Sequence, residues 1–285
     1  AVGVPTIGWV HNFALRPLFD SNQRTSFLVT HMRMLLRVVT LSPTDVAFWK
    51  LQGLQRVVYV PNPLSPLTVS ALGVGSARPR PQTTIQLAWW GRLDRATKQV
   101  QHLLDVGLEL QSREVSFHLT IIGPDSRNLT AMELRQEAIK KGLDENLSLL
   151  PEQDADALLK TLSHADLMVS TSAIEGFQLT IVEAQALGLP VVMYDLPWLT
   201  TVRDNAGLVV TPPDDPAAMA EAIALIARDP GRYADLSREA LGFARDAASA
   251  DVGDLVSKLL ADELPSRYSP EPTMDDARVL TRWMV

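Results

Sequence analysis

Residues 172–195 read S-A-I-E-G-F-Q-L-T-I-V-E-A-Q-A-L-G-L-P-V-V-M-Y-D, and no other stretch of the chain restricts the possible folds as much. The run opens as a polar turn, continues with a helical period, passes Gly188 and Pro190, and closes on a short β-rich run. Loop, helix and strand in that order are the repeating grammar of an α/β sheet. Gly176 lets the backbone approach a ligand closely, and a helix opening near Leu179 would turn its unpaired N–H groups and positive dipole end toward that turn. An anionic or polyhydroxyl ligand suits such a corner.

Glu175 and Glu183 flank this corner eight positions apart. On a continuous helix they would stand about 80° apart and roughly 12 Å along the axis, too far to share one proton. Two acceptors gripping separate hydroxyls of an extended ligand fit that geometry. The alternative makes Glu183 a solvated helix residue and Glu175 a partner of the helix dipole.

Ser172-x-x-Glu175-Gly176-Phe177, followed by Glu183-Ala184-x-Ala186-x-Gly188-x-Pro190-Val191-Val192, resembles the signature of the retaining glycosyltransferases of family four, the group 1 glycosyl transferases, which have the GT-B fold. The resemblance implies that Glu175 contacts the donor sugar, Glu183 the ribose, and the backbone of Phe177, Gln178 and Leu179 the sugar or phosphate. The family often has Gly where Gln178 stands, and this departure bears on the identity of the donor sugar.

At 285 residues and 46% hydrophobic content the chain can build two domains with packed cores. It has no cysteine, which removes disulfides and thiolate zinc sites and is compatible with a reducing cytoplasm. A net charge of −7 argues against general binding to nucleic acid or an anionic membrane, so phosphate recognition must be local. No apolar run approaches the ~20 residues needed to span a bilayer. The sequons at Asn128 and Asn146 read as chance occurrences.

The first part of the chain reads as a strand over 4–10 ending at His11-Asn12, a helix over 24–36, a strand over 37–41, a helix opened by Ser42-Pro43-Thr44-Asp45, and a strand over 56–60 stopped by Pro61-Asn62-Pro63. These units resemble the last ones of the N-terminal Rossmann-like domain in a GT-B enzyme. With Ala1 at the start, the expectation is a truncated N-terminal portion over 1–63, excised from a longer protein. His11 ends a strand, where open α/β sheets place ligand groups, and matches the family's His facing the donor sugar; the alternative is a structural histidine. Arg33 and Arg37 among Met32, Met34, Leu35 and Leu36 read as the solvated side of a packed helix, with a peripheral membrane-contact face as the alternative.

Residues 64–84, rich in Pro, Ser and Gly, read as a linker, and 85–265 as a C-terminal nucleotide-sugar-binding domain. Its first strand, 85–90, turns at Gly91-Arg92-Leu93 and reaches Lys98 before a helix over 99–110. Gly91 offers backbone access, and Arg92 and Lys98 are two cations suited to a diphosphate, the role the resemblance also gives them. The strand over 147–150 ends at Leu150, where the family's backbone reads the nucleotide base. Trp89 and Trp90 read as packing both faces of the sheet, with stacking on a base as the alternative. The turn over 194–201 is expected to line the donor pocket, and the tail over 266–285 to return toward the N-terminal portion.

The sequence therefore points to an α/β, GT-B-like chain with one complete C-terminal Rossmann-like domain and a truncated N-terminal one. The implied function is a retaining, metal-independent glycosyltransferase without a cofactor, moving sugar from a nucleoside-diphosphate sugar to a carbohydrate or glycoconjugate acceptor. The implied catalytic residues are His11, Arg92, Lys98 and Glu175, and the implied setting is the cytoplasm or its membrane face. Two rivals are a nucleotide-sugar isomerase of GT-B shape using His11 and Glu175, and a non-catalytic nucleotide-sugar-binding domain. Without a G-x-G-x-x-G, a nicotinamide dehydrogenase has little support.

Overall fold

A computed structural model describes residues 4–16, 25–78 and 83–282. The first part contains β1 (Ile7–Trp9), α1 (Thr25–Met32), β2 (Arg37–Thr40), α2 (Pro43–Leu51) and β3 (Val57–Tyr59). These strands are parallel in the order β1-β2-β3. The helix expected over 24–36 stops earlier, at Met32, and turn bonds from Met34 N to His31 O and from Leu35 N to Met32 O lead into β2. Its expected start at Arg24 lies outside the described residues.

The stretch read as a linker carries a helix, α3 (Pro66–Val74), capped by Ser65 with Pro66 at its first position. Beyond it come β4 (Ile85–Trp90), α4 (His102–Ser112), β5 (Phe117–Ile122), α5 (Ala131–Lys140), β6 (Leu147–Leu150) and α6 (Ala155–Leu162). They are followed by β7 (Leu167–Ser170), α7 (Leu179–Ala186), β8 (Val191–Tyr194) and β9 (Leu208–Thr211). Four helices close the described chain: α8 (Pro216–Arg228), α9 (Pro230–Ala248), α10 (Val252–Leu260) and α11 (Met274–Arg282).

The six later strands form a parallel sheet in the order β6-β5-β4-β7-β8-β9. Parallel strands need crossover connections that cover both faces, which is why β4, β7 and β8 are almost wholly apolar. Along β4 the side chains alternate: Trp89 enters one core cluster and Trp90 the other, as their spacing required. Strand order reverses between β4 and β7, and a crevice forms at the carboxyl ends of strands on either side of such a reversal. The fold thereby fixes where a ligand site should open.

The cluster holding Trp90 is continuous with Val38, Val57 and Trp49 of the first part, so the two sheets share one core. The opposite side of the small sheet, Val39, Val58 and Val60, is covered by Leu255 and Leu259 of α10. The tail also lies on this part: Thr44 Oγ1 donates to Asp276 Oδ1 at 3.1 Å, and Lys50 Nζ to Glu271 Oε1 at 2.8 Å.

Candidate active site

The turns after β4 and β7 meet at the point where strand order reverses. Gly91 and Gly123 end adjacent strands with φ of +147° and +149°, and a Cβ on Gly123 would lie 1.8 Å from the carbonyl oxygen of Gly91. Only glycine permits that approach. Beyond Gly91, Asp94 organises the loop by accepting from Thr97 N at 2.6 Å, Thr97 Oγ1 at 2.8 Å and Asn128 Nδ2 at 3.2 Å. Burial pushes the Asp94 carboxyl up, but these hydrogen bonds together hold it below its ordinary value. Asn128, a chance sequon by sequence, is thus a bracing side chain.

The two loops are stitched together by Thr171 Oγ1, which donates to the carbonyls of Lys98 and Gln99 at 3.1 and 3.0 Å, and by Ala173 N, which donates to Thr97 O at 2.9 Å. Gln99 sits at φ +46°, so no helix can run through it, and α4 begins at His102 rather than at 99. This stitching sets Lys98 Nζ 2.5 Å from Glu175 Oε1, which also accepts from Ser172 Oγ at 2.8 Å. The Glu175 side chain is 11% exposed and that of Lys98 27%. Arg92 stands exposed at the rim of an open cavity of about 480 Å³ that Asp94, Asp125, Arg127 and Asn128 also line.

Helix α7 starts in this crevice. Gln178 at its N-cap makes no capping bond, and its Nε2 instead donates to Ser170 Oγ at 2.8 Å. Ser42, Ser65, Thr130, Asp154, Asp215, Asp229 and Asp251 each cap a helix with a side chain, whereas α7, like α4, has no side-chain cap and leaves its first N–H groups to other acceptors. Glu175 lies before the helix and Glu183 within it, so the two acids work from different elements.

Glu183 is 8% exposed, which excludes the solvated-residue alternative. Its two carboxylate oxygens accept from Ser65 Oγ at 2.6 Å and Trp90 Nε1 at 2.7 Å, tying the β3–β4 connection to the sheet. Leu150 ends the edge strand β6, and its carbonyl accepts from Gly123 N at 3.0 Å. Phe177 lies half-buried against a separate apolar cavity with Pro61, Val182 and Phe243.

The Glu175–Gly176 turn is clamped from two sides. Trp198 Nε1 donates to Glu175 O at 2.7 Å, and a Cβ on Gly176 would come within 2.4 Å of His11 O. Phe13 stacks on Trp198 with ring centroids 4.0 Å apart. His11 is exposed and its ring lies parallel to that of Trp9 at 5.9 Å. The sequence placed the 194–201 turn at the pocket, but the stack that joins it to Phe13 had no local signal.

Arg33 Nη2 donates to Gln52 O at 3.0 Å and Arg37 pairs with Asp262, so both guanidinium groups bond within the protein rather than facing solvent alone. Among the described residues no helix is long and apolar enough to cross a membrane, and no group of three His, Asp or Glu side chains could hold a metal ion.

The family model described as "Glycosyl transferases group 1" matches residues 84–229, just over half of the chain. D-inositol 3-phosphate glycosyltransferase of Salinispora tropica is 30% identical over 193 residues, covering 64% of this chain and 40% of that protein. Its counterpart in Corynebacterium efficiens is 28% identical over 181 residues, covering 62% and 42%. The chain thus spans about two fifths of the length of these relatives. Among solved structures, a TarM variant from S. aureus with fondaparinux, alpha-GlcNAc-glycerol and UDP superposes with a TM-score of 0.72 at 18% identity, over 90% of this chain and 50% of that one. Anabaena Alr3699/HepE with UDP and glucose gives 0.72 at 20% identity, over 90% and 71%.

Proposed function

The chain belongs to the group 1 glycosyl transferases, with their GT-B-like α/β fold, and from that membership we propose that it is the donor-binding part of a retaining glycosyltransferase. It would transfer sugar from a nucleoside-diphosphate sugar to a carbohydrate or glycoconjugate acceptor, in the assembly of cell-surface polysaccharide. A cytoplasmic setting agrees with the lack of cysteine. The curated relatives are named for glycosylating D-inositol 3-phosphate and the structural neighbours hold UDP, so UDP-sugars are the first donors to test.

The observation that carries this reading is the convergence of Gly91, the Lys98–Glu175 pair and the uncapped start of α7 at the reversal of strand order. In the reaction the acceptor oxygen bonds to the anomeric carbon as the bond to the diphosphate breaks. The electron pair leaves on a phosphate oxygen, and the acceptor's proton passes to the departing diphosphate. Arg92, Lys98 and the α7 N-terminus would stabilise the charge growing there. Glu175 would hold the sugar and orient Lys98, Glu183 would meet the ribose, and the Leu150 backbone would lie near the base. His11 would face the sugar from the other sheet. Nothing in this scheme calls for a metal.

Charge-assisted hydrogen bonds contribute ~1.5–3 kcal/mol, so Arg92→Ala or Lys98→Ala should weaken UDP binding about 10- to 150-fold. Calorimetry reads this directly, and unchanged affinity in both variants would remove the phosphate assignment.

A further inference from the structure

The turn that carries Glu175 is held by side chains from outside its own strand and helix. Trp198, on the connection between β8 and β9, donates its indole N–H to Glu175 O at 2.7 Å. Phe13, on the loop after β1, stacks on the Trp198 ring with centroids 4.0 Å apart and 4° between planes. Both side chains are 1% exposed, so neither can touch a ligand. Any effect they have on the site must pass through the residues they hold.

The stack joins connections that belong to different sheets, and Phe13 is fixed from behind. Ala14 N donates to Asp45 Oδ1 at 2.7 Å, and Asp45 Oδ2 accepts from Ser42 Oγ at 2.7 Å at the start of α2. On the same loop, His11 O and Asn12 Cα press on Gly176, where a Cβ would meet them at 2.4 and 3.0 Å. The Glu175–Gly176 peptide thus has a hydrogen bond on its carbonyl and a packed neighbour on its glycine, and both lead back to the first sheet. A short turn held at two points leaves its side chain little freedom, and the Glu175 carboxylate is presented to Lys98 Nζ at 2.5 Å. A binding group held in place before its ligand arrives loses less entropy on binding.

We propose that Trp198 and Phe13 are positioning residues for the sugar end of the donor. Their stack sets the Glu175 turn against the loop that carries His11, so the two groups assigned to the sugar keep one spacing across the two sheets. The diphosphate end is held separately, because Thr171 Oγ1 bonds the carbonyls of Lys98 and Gln99 and Arg92 stands on the turn after β4. The inference rests on the transferase reading above, and it adds the residues that set sugar affinity apart from nucleotide affinity.

Calorimetric titration of the 285-residue chain with UDP, UDP-glucose and UDP-N-acetylglucosamine tests this, read as the ratio of affinity for the better-bound UDP-sugar to affinity for UDP. Trp198→Phe keeps a ring for Phe13 to stack on but removes the N–H, and should weaken UDP-sugar binding about 5- to 10-fold while leaving UDP affinity unchanged. Phe13→Leu should lower the same ratio, and the double variant should lose less than the product of the two single losses, because both side chains act on one turn. Arg78→Met, which disturbs the far end of the sheet, should leave the ratio at its wild-type value and so separates positioning from a general loss of stability. A ratio unchanged in both single variants, or UDP and UDP-sugar affinities falling together in Trp198→Phe, would overturn the proposal. A wild type that binds UDP and both UDP-sugars alike would overturn it too, since there would be no sugar contact to set. No UDP binding by the wild type would instead overturn the donor reading itself, and this inference with it. Should either single variant fail to fold, the other decides by the same ratio.

Discussion

Asp45 is wholly buried at the first turn of α2, where Oδ1 accepts from Ala14 N at 2.7 Å and Oδ2 from Ser42 Oγ at 2.7 Å. It therefore holds the loop that follows β1, the same loop that carries Asn12 and Arg16. Burial pushes its carboxyl from 3.8 up to about 7, against the lowering effect of those two hydrogen bonds. The folded state thus binds the proton more tightly than the unfolded chain. Stability from this group is fully present below about pH 4 and is lost as pH rises toward about 7. Thermal melts should show that decline in the wild type and a flatter profile in Asp45→Asn; identical profiles would refute it. On the proposed donor reading, Glu175 and Glu183 separate by ligand. Glu175→Ala should weaken UDP-sugar binding far more than UDP binding, while Glu183→Ala should weaken both. Glu183→Ala should also cost about 1–3 kcal/mol of stability, because it strands the buried Trp90 indole N–H. Equal losses for both ligands in both variants would show the roles to be misassigned.

At the scale of elements, α7 shows how much of a helix is written in its own residues. Gly188 at φ +74° ends it, with Gly188 N donating to Gln185 O and Leu189 N to Ala184 O, as the Gly-x-Pro spacing anticipated. What the local sequence does not reveal is that Gly188 also makes room for another segment. A Cβ there would lie 2.4 Å from the backbone oxygen of Ser76. Gly188→Ala should therefore destabilise the protein by more than the ~1 kcal/mol of a left-handed alanine alone, about 2–3 kcal/mol. The urea midpoint should fall with little change in slope; a midpoint equal to the wild type would mean that the 76–78 segment moves aside freely. The helix α3 was hidden for the complementary reason. Its Pro, Ser and Gly content reads as a linker, yet Ser65 and Pro66 are also a helix start, and packing against α7 decides between the two.

Across the whole molecule, Arg78 joins pieces that are far apart in sequence. Its guanidinium donates to Leu187 O at 3.0 Å, Ser163 O at 2.9 Å and Ala165 O at 2.7 Å, closing the ends of α6 and α7. This happens at the amino ends of the strands, opposite the crevice at their carboxyl ends. Arg78→Met should cost about 2–4 kcal/mol in urea unfolding by leaving those carbonyls without a donor, yet keep the wild-type UDP affinity. A parallel loss of UDP affinity would show that the two ends of the sheet are coupled.

The sequence by itself determined the alternation of strands and helices, most of their ends, and the two stretches, 91–98 and 175–183, that carry the candidate site. Those signals act within a few turns of chain: a hydrophobic period, a side chain that caps a helix, a glycine that ends one. Only the tertiary structure decided that Lys98 meets Glu175 across 77 positions, that Trp198 stacks on Phe13, and that Trp49 and Trp9 pack into clusters on opposite faces of the small sheet. Each of these depends on which strands lie side by side and which helices cover them. That arrangement comes from burying all the apolar faces at once, and no single stretch of the chain encodes it.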